Sequence, residues 1–140
     1  MNKTVVLIED EEILLQLLRV KLEGAGLTVH AVRDGIAGFE LVREVKPDLV
    51  LLDMLLPGMS GLVILEKMKE AGLLPAMPVL IISNSGQPVE LQRALDLGAR
   101  DYLIKVNFEP KEVLARVMGL LGASSLSDAG ESAPRTGGKV

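Results

Sequence analysis

Five polar residues stand at or near the ends of apolar runs, and their types suit phosphoryl chemistry. Thr4–Ile8 is followed by Glu9-Asp10, Leu49–Leu52 runs into Asp53, Met77–Ser83 closes on Ser83, and Lys105 lies near the end of Asp101–Val106. Two like charges ~4 Å apart repel by ~4 kcal/mol at an effective dielectric near 20. Glu9, Asp10 and Asp53 in one crevice therefore ask for cations. Lys105 supplies one positive charge and a divalent ion supplies more. Oxygen ligands with no His or Cys beside them select Mg²⁺ or Mn²⁺ over zinc or copper. Asp53 is then the candidate nucleophile, because an aspartate carboxylate can take a phosphoryl group. Glu9 and Asp10 hold the metal, Ser83 donates to one phosphoryl oxygen, and Lys105 pairs with another. Taken singly, each residue reads more plainly: a turn-forming Asp, a strand-end hydroxyl, a surface lysine. Glu11 and Glu12 read as first-turn acids at the positive end of a helix. The joint placement favours the chemical reading.

Such a cluster needs elements that bring distant stretches to one rim. Strands are expected at Thr4–Ile8, Leu27–Val32, Leu49–Leu52, Met77–Ser83 and Asp101–Val106. Between the first two, Ile13, Leu14, Leu17, Leu18 and Leu22 recur at helical spacing, and Gly24 and Gly26 stop that helix. Asp34-Gly35 caps a helix carrying Ile36, Phe39 and Val42 on one side. Ser60-Gly61 opens another, with Leu62, Leu65 and Met68 inward, that closes near Gly72. Pro88–Leu97 is a fourth helix. Pro110 starts a fifth, carrying Val113, Leu114, Val117, Met118 and Leu121.

Strand and helix alternate five times, and the strands are near-continuous apolar runs. That pattern predicts a doubly wound α/β domain, a flavodoxin-like five-stranded parallel sheet with five helices. Functional groups in such sheets gather outside the carboxyl ends of the strands, where the strand order switches. The domain is expected over residues 1–121. From Gly122 onward, "GASSLSDAGESAPRTGGKV" has only Leu126 and Val140 as large apolar residues. Residues 122–140 read as a disordered tail or linker.

The 140 residues suffice for one domain. The absence of cysteine removes disulfides, thiolate metal sites and cysteine nucleophiles. No apolar run approaches the ~20 residues of a membrane span, and "MNKTVVLIEDEE" turns acidic too early for a secretory signal. A cytoplasmic protein without membrane contact is expected. A net charge of −4 and an aromatic content of 2% argue against direct nucleic-acid binding, which draws on basic faces and stacking rings.

The segments "VVLIEDEE", "PDLVLLDMLLPGMSGLVIL", "VLIIS" and "GARDYLIKV" resemble, in order and spacing, the receiver domain of two-component response regulators. The resemblance covers about residues 3–121. It implies that Asp53 is the phosphoacceptor and that Glu9 and Asp10 are the metal-binding acids. It further implies metal binding by the backbone carbonyl of Leu55, a switch hydroxyl at Ser83, an aromatic switch at Tyr102, and the family lysine at Lys105. The phosphodonor it implies is a histidine kinase or a histidine phosphotransfer protein. The chain would be a signalling phosphoacceptor that helps catalyse its own phosphorylation and dephosphorylation, rather than an enzyme in its own right. A surface on the fourth helix, fifth strand and fifth helix would then switch a downstream protein partner, an output domain or a homodimer.

Three positions depart from the family pattern. Glu9 stands where Asp is usual, Asn84 where a small residue is usual, and Val106 where proline usually follows the lysine. With Val106 the peptide after Lys105 is expected to be trans, since a non-proline cis bond costs ~3 kcal/mol. These departures keep open a phosphorylation-independent protein-interaction module. A nucleotide-binding reading lacks both glycine-rich phosphate motifs. An aspartate-nucleophile hydrolase lacks its second acid, because Leu55 stands there. His30 is the sole histidine and reads as a strand residue.

Overall fold

The computed structural model describes residues 2–83, 88–105 and 109–126. Five strands alternate with five helices: β1 Thr4–Ile8, α1 Glu12–Gly24, β2 Thr28–Val32, α2 Gly35–Val45, β3 Leu49–Asp53, α3 Gly61–Glu70, β4 Val79–Ser83, α4 Pro88–Leu97, β5 Asp101–Ile104 and α5 Pro110–Leu126. All neighbouring strands are parallel, in the order β2-β1-β3-β4-β5. The expected doubly wound sheet is therefore what forms. Its order reverses between β1 and β3, the point at which such sheets open a crevice.

Strand residues alternate between two apolar layers, as a period of two requires. Val5, Leu7, Leu49, Leu51, Leu80, Ile82 and Leu103 pack against Leu15, Leu18 and Leu22 of α1 and Val113, Val117 and Leu121 of α5. Val6, Ile8, Val50, Leu52, Val79 and Ile81 pack against Val42 of α2, Ile64, Leu65 and Met68 of α3, and Ala94 of α4. The strands are continuous apolar runs because both faces are covered.

The expected helix starts are present: the Asp34 side chain accepts from the Ala37 amide at 2.9 Å, and Ser60 Oγ accepts from the Val63 amide at 3.3 Å. Gly26, at φ 94°, ends α1 with its amide on the Glu23 carbonyl. Other expectations need correcting. Ile13 and Leu17 are exposed at 77% and 51%; the inward stripe of α1 is Leu15, Leu18 and Leu22. Ile36 and Met118 also face outward. β3 takes in Asp53, and β4 begins at Val79, after Pro78. Helix α5 continues past Leu121 to Leu126. Once nucleated, a helix gains a hydrogen bond with each added residue, and one glycine costs only ~1 kcal/mol against that. The remainder of the expected tail, 127–140, lies outside the described residues, as do Asn84 and Val106. Among the described residues, no helix is long and apolar enough to cross a membrane.

Close packing under the rim leaves no room for a side chain at Gly61. A Cβ at Gly61 would come within 2.7 Å of the Asp53 carbonyl oxygen and 2.8 Å of Met54 Cα, both backbone atoms that cannot swing aside. The Gly61 amide also donates to the Met54 carbonyl at 3.0 Å. Gly61→Ala is expected to destabilise the fold by about 1–3 kcal/mol, the usual range for forced overpacking, despite alanine's better helix propensity. Urea denaturation measures this, and an unchanged midpoint would refute it.

Candidate functional site

The register of the sheet assembles the site. Ile8 pairs with Leu52, so Glu9 and Asp53 are the next residues on adjacent strands. Ser83 pairs with Ile104, which puts Lys105 one step beyond. Glu9, Asp53 and Ser83 are the buried polar residues among those described, at 0%, 2% and 4% exposure.

Lys105 ties this rim together. Its Nζ donates to Asp53 Oδ2 at 3.0 Å, Glu9 Oε2 at 3.1 Å and Glu11 Oε2 at 3.3 Å. Buried charges survive when paired and hydrogen-bonded, and further bonds complete these. The Glu11 amide donates to Glu9 Oε2 at 2.9 Å, and the Leu55 amide donates to Asp53 Oδ1 at 3.2 Å. The second bond is the local turn an aspartate forms with the amide two residues on, and it fixes the carboxylate that ends β3. One polar atom is left over. Glu9 Oε1 is buried and has no hydrogen-bond partner.

The remaining expected site residues are placed less centrally. Asp10 is half-buried, and its carboxylate makes no hydrogen bond or ion pair among the described residues; its backbone carbonyl accepts from Arg33. The Leu55 side chain is exposed. Tyr102 is half-buried against the layer covered by α2, α3 and α4. Glu11 is the residue that sequence reasoning missed. Its place at the head of α1 is that of a helix-end acid, yet its side chain joins Lys105, and its only local signal is its place two residues after Glu9.

Among the described residues, no three acid or histidine side chains are grouped to hold an ion. Mg²⁺ needs fewer, since it keeps several waters and takes one or two carboxylates. The Glu9–Asp53 pair, with Oε1 of Glu9 unclaimed, fits that requirement.

Burial pushes the Glu9 carboxyl up to about 7, and the nearby Asp53 charge adds to the rise; the Glu11 amide and Lys105 oppose it. Burial pulls the Lys105 ammonium down, but its bonds and charge pairing with Asp53 and Glu9 outweigh this and leave it above its ordinary value. In the metal-free protein the folded chain thus holds the Glu9 proton more tightly than the unfolded chain does. Glu9's contribution to stability is full below pH 4.5 and is lost as pH rises through about 7. Denaturation at a series of pH values should show this decline in the wild type and its absence in Glu9→Gln. Parallel curves for the two proteins would refute it.

Comparison with known proteins agrees with this geometry. The family described as "Response regulator receiver domain" matches residues 5–118. The chain is 33% identical over 121 residues to the DNA-binding response regulator MtrA of Mycolicibacterium paratuberculosis, covering 86% of this chain and 52% of that protein. It is 33% identical over 127 residues to the alkaline phosphatase synthesis transcriptional regulatory protein PhoP of Bacillus subtilis, covering 91% and 52%. The chain thus spans about half the length of these curated relatives. In fold it is similar to a CheY-like response regulator receiver domain protein from Methanospirillum hungatei, with a TM-score of 0.83 at 23% identity over 91% of this chain and 99% of that one. The acidic rim closed by a lysine and the match across the sheet agree: this chain belongs to the response regulator receiver domain family of two-component signalling.

Proposed function

We propose that Asp53 accepts a phosphoryl group from the phosphohistidine of a histidine kinase or a histidine phosphotransfer protein, and that the new charge switches a protein-binding surface on α4, β5 and α5. The observation that carries this reading is the buried Asp53 carboxylate held 3.0 Å from the Lys105 ammonium at the topological switch point. An Asp53 oxygen attacks phosphorus as the bond to the imidazole nitrogen breaks. Lys105 follows the negative charge onto a phosphoryl oxygen, where a preorganised cation lowers the barrier. Glu9, Asp10, Asp53 and the Leu55 carbonyl oxygen would hold Mg²⁺ (or Mn²⁺). When bound, the ion supplies neutralising charge to the carboxylates and the transferring group. The unpartnered Oε1 of Glu9 supports this assignment. The same groups serve hydrolysis, in which water attacks phosphorus and the Asp53 carboxylate leaves, so the chain assists both halves of its cycle.

Phosphorylation adds a charge of about −1.5 to −2. The Ser83 hydroxyl donates to the phosphoryl group, and Tyr102 packs inward. The balance between two conformations then moves toward the one its partner prefers. Of the two relatives, one is by name a DNA-binding response regulator and the other a transcriptional regulatory protein, and each is about twice as long as the matched region. The output here is accordingly a further domain or a separate protein, with a homodimer through the switched surface as one form. A second reading starts from the same contacts, in which Lys105 bridges Glu9 and Asp53. A module that signals without phosphate would keep it there.

Incubation with Mg²⁺ and acetyl phosphate, followed by intact-mass measurement, separates the two. The wild type is expected to gain a phosphoryl adduct that Asp53→Asn does not. An adduct that persists in the variant would remove Asp53 as the acceptor. No adduct from acetyl phosphate or from a phosphohistidine donor would count against the phosphoacceptor reading and favour the phosphate-independent module.

A further inference from the structure

The loop that carries Glu9, Asp10 and Glu11 lacks an ordinary anchor at its far end. Glu11 occupies the cap position of α1 but makes no side-chain bond to the helix; it reaches Lys105 instead. A second tie comes from outside the cluster. Arg33, the first residue after β2, donates from Nε and Nη2 to the Asp10 carbonyl oxygen at 3.1 and 3.0 Å. Its Nη1 donates to Glu12 Oε1 at 2.9 Å.

Arg33 is itself well based. The next residue, Asp34, caps α2, and the Gly35 amide donates to the Pro57 carbonyl at 3.0 Å. A Cβ at Gly35 would collide with the Met59 carbonyl oxygen, so this turn lies directly against the loop that follows Asp53. Arg33 thus ties the loop after β1 to a turn that Gly35, two residues on, seats against the loop after β3.

We propose that Arg33 is a positioning residue for the metal-binding and phosphoacceptor cluster, its guanidinium clamping the Asp10 carbonyl and Glu12 so that the loop presents Glu9 and Asp10 to the crevice. The inference rests on the phosphoacceptor reading of Asp53. A guanidinium suits the task because its planar fork serves two acceptors at once, which a lysine ammonium on a flexible stem does less well. The Arg33 side chain is 56% exposed. Its ion pair with Glu12 is therefore worth little to global stability, and its effect falls on the loop. The clamp also acts independently of Lys105, and so persists when that ammonium turns to a phosphoryl oxygen.

The test uses the full chain and its Arg33→Ala and Arg33→Lys variants. Mg²⁺ affinity is measured by calorimetric titration, loop protection by amide hydrogen exchange of the metal-free proteins, and stability by urea denaturation. Groups that orient metal ligands typically contribute 10–100-fold in affinity, and an exposed one belongs at the low end. Arg33→Ala is expected to bind Mg²⁺ about tenfold more weakly, exchange faster at the Glu11 amide, which is bonded to Glu9, and keep the wild-type urea midpoint. Arg33→Lys is expected to recover part of both losses. Wild-type affinity and exchange in Arg33→Ala would overturn the proposal, as would a lowered urea midpoint that accounts for both changes. If the wild type takes up no Mg²⁺, the phosphoacceptor reading fails on its own. The clamp is then decided by exchange: faster exchange at Glu11 supports it, and unchanged exchange overturns it.

Discussion

One ammonium group lies within hydrogen-bonding distance of three carboxylates, and the carboxyl rim is organised around it. Lys105 meets Asp53, Glu9 and Glu11 at 3.0, 3.1 and 3.3 Å. Two of these acids are almost wholly buried. Withdrawing an ion from water costs several kcal/mol even after the protein relaxes, so two facing carboxylates need a cation or a proton. The raised Glu9 carboxyl expresses the same constraint, since where the cation compensates incompletely the proton is held longer. A site in this condition is sensitive to any change in its charge, which is what a phosphoryl-accepting module requires.

The strand order explains why the cation is a lysine at this place. β5 is an edge strand, and β4 separates it from β3. Neighbouring strands lie ~4.8 Å apart, so a group leaving β5 must cross the end of β4 to reach Asp53, and farther still to reach Glu9 beside it. A long side chain does this, and the small Ser83 at the end of β4 leaves the path low. The acids come from the two central strands, where the crevice opens; the positive charge comes from the periphery and is led inward.

Much of this arrangement is legible in the sequence, because strands buried on both faces are written as unbroken apolar runs and each polar residue at their ends stands out. Asp34 and Ser60 also declare themselves as caps, since a short oxygen-bearing side chain before an apolar-periodic stretch has few other uses. The inward face of α1 was not legible. Ile13, Leu14, Leu15, Leu17, Leu18, Val20 and Leu22 cover most of its circumference, and period alone cannot choose among overlapping stripes. Glu11 and Arg33 were hidden for another reason. Glu11 bonds a side chain 94 residues away, and Arg33 bonds a backbone carbonyl, which every residue possesses and no residue type announces.

The two-layer alternation of the strands has a bearing on how news of an event at Asp53 spreads. Glu9 and Asp53 continue the series Val5–Leu7 and Leu49–Leu51, which belongs to the layer under α1 and α5. Ser83 continues the series Val79–Ile81, and with Tyr102 it belongs to the opposite layer, under α2, α3 and α4. The wall between the two compartments is the sheet itself, lined on one side by Leu7, Leu51 and Leu80 and on the other by Ile8, Leu52 and Ile81, all without solvent exposure. Such a wall is close-packed and yields little. Under the proposed function, a displacement begun at Asp53 would have to pass over the lip of the sheet to reach Ser83 and Tyr102, a passage a single residue deep, with the interior as the partition between sender and recipient.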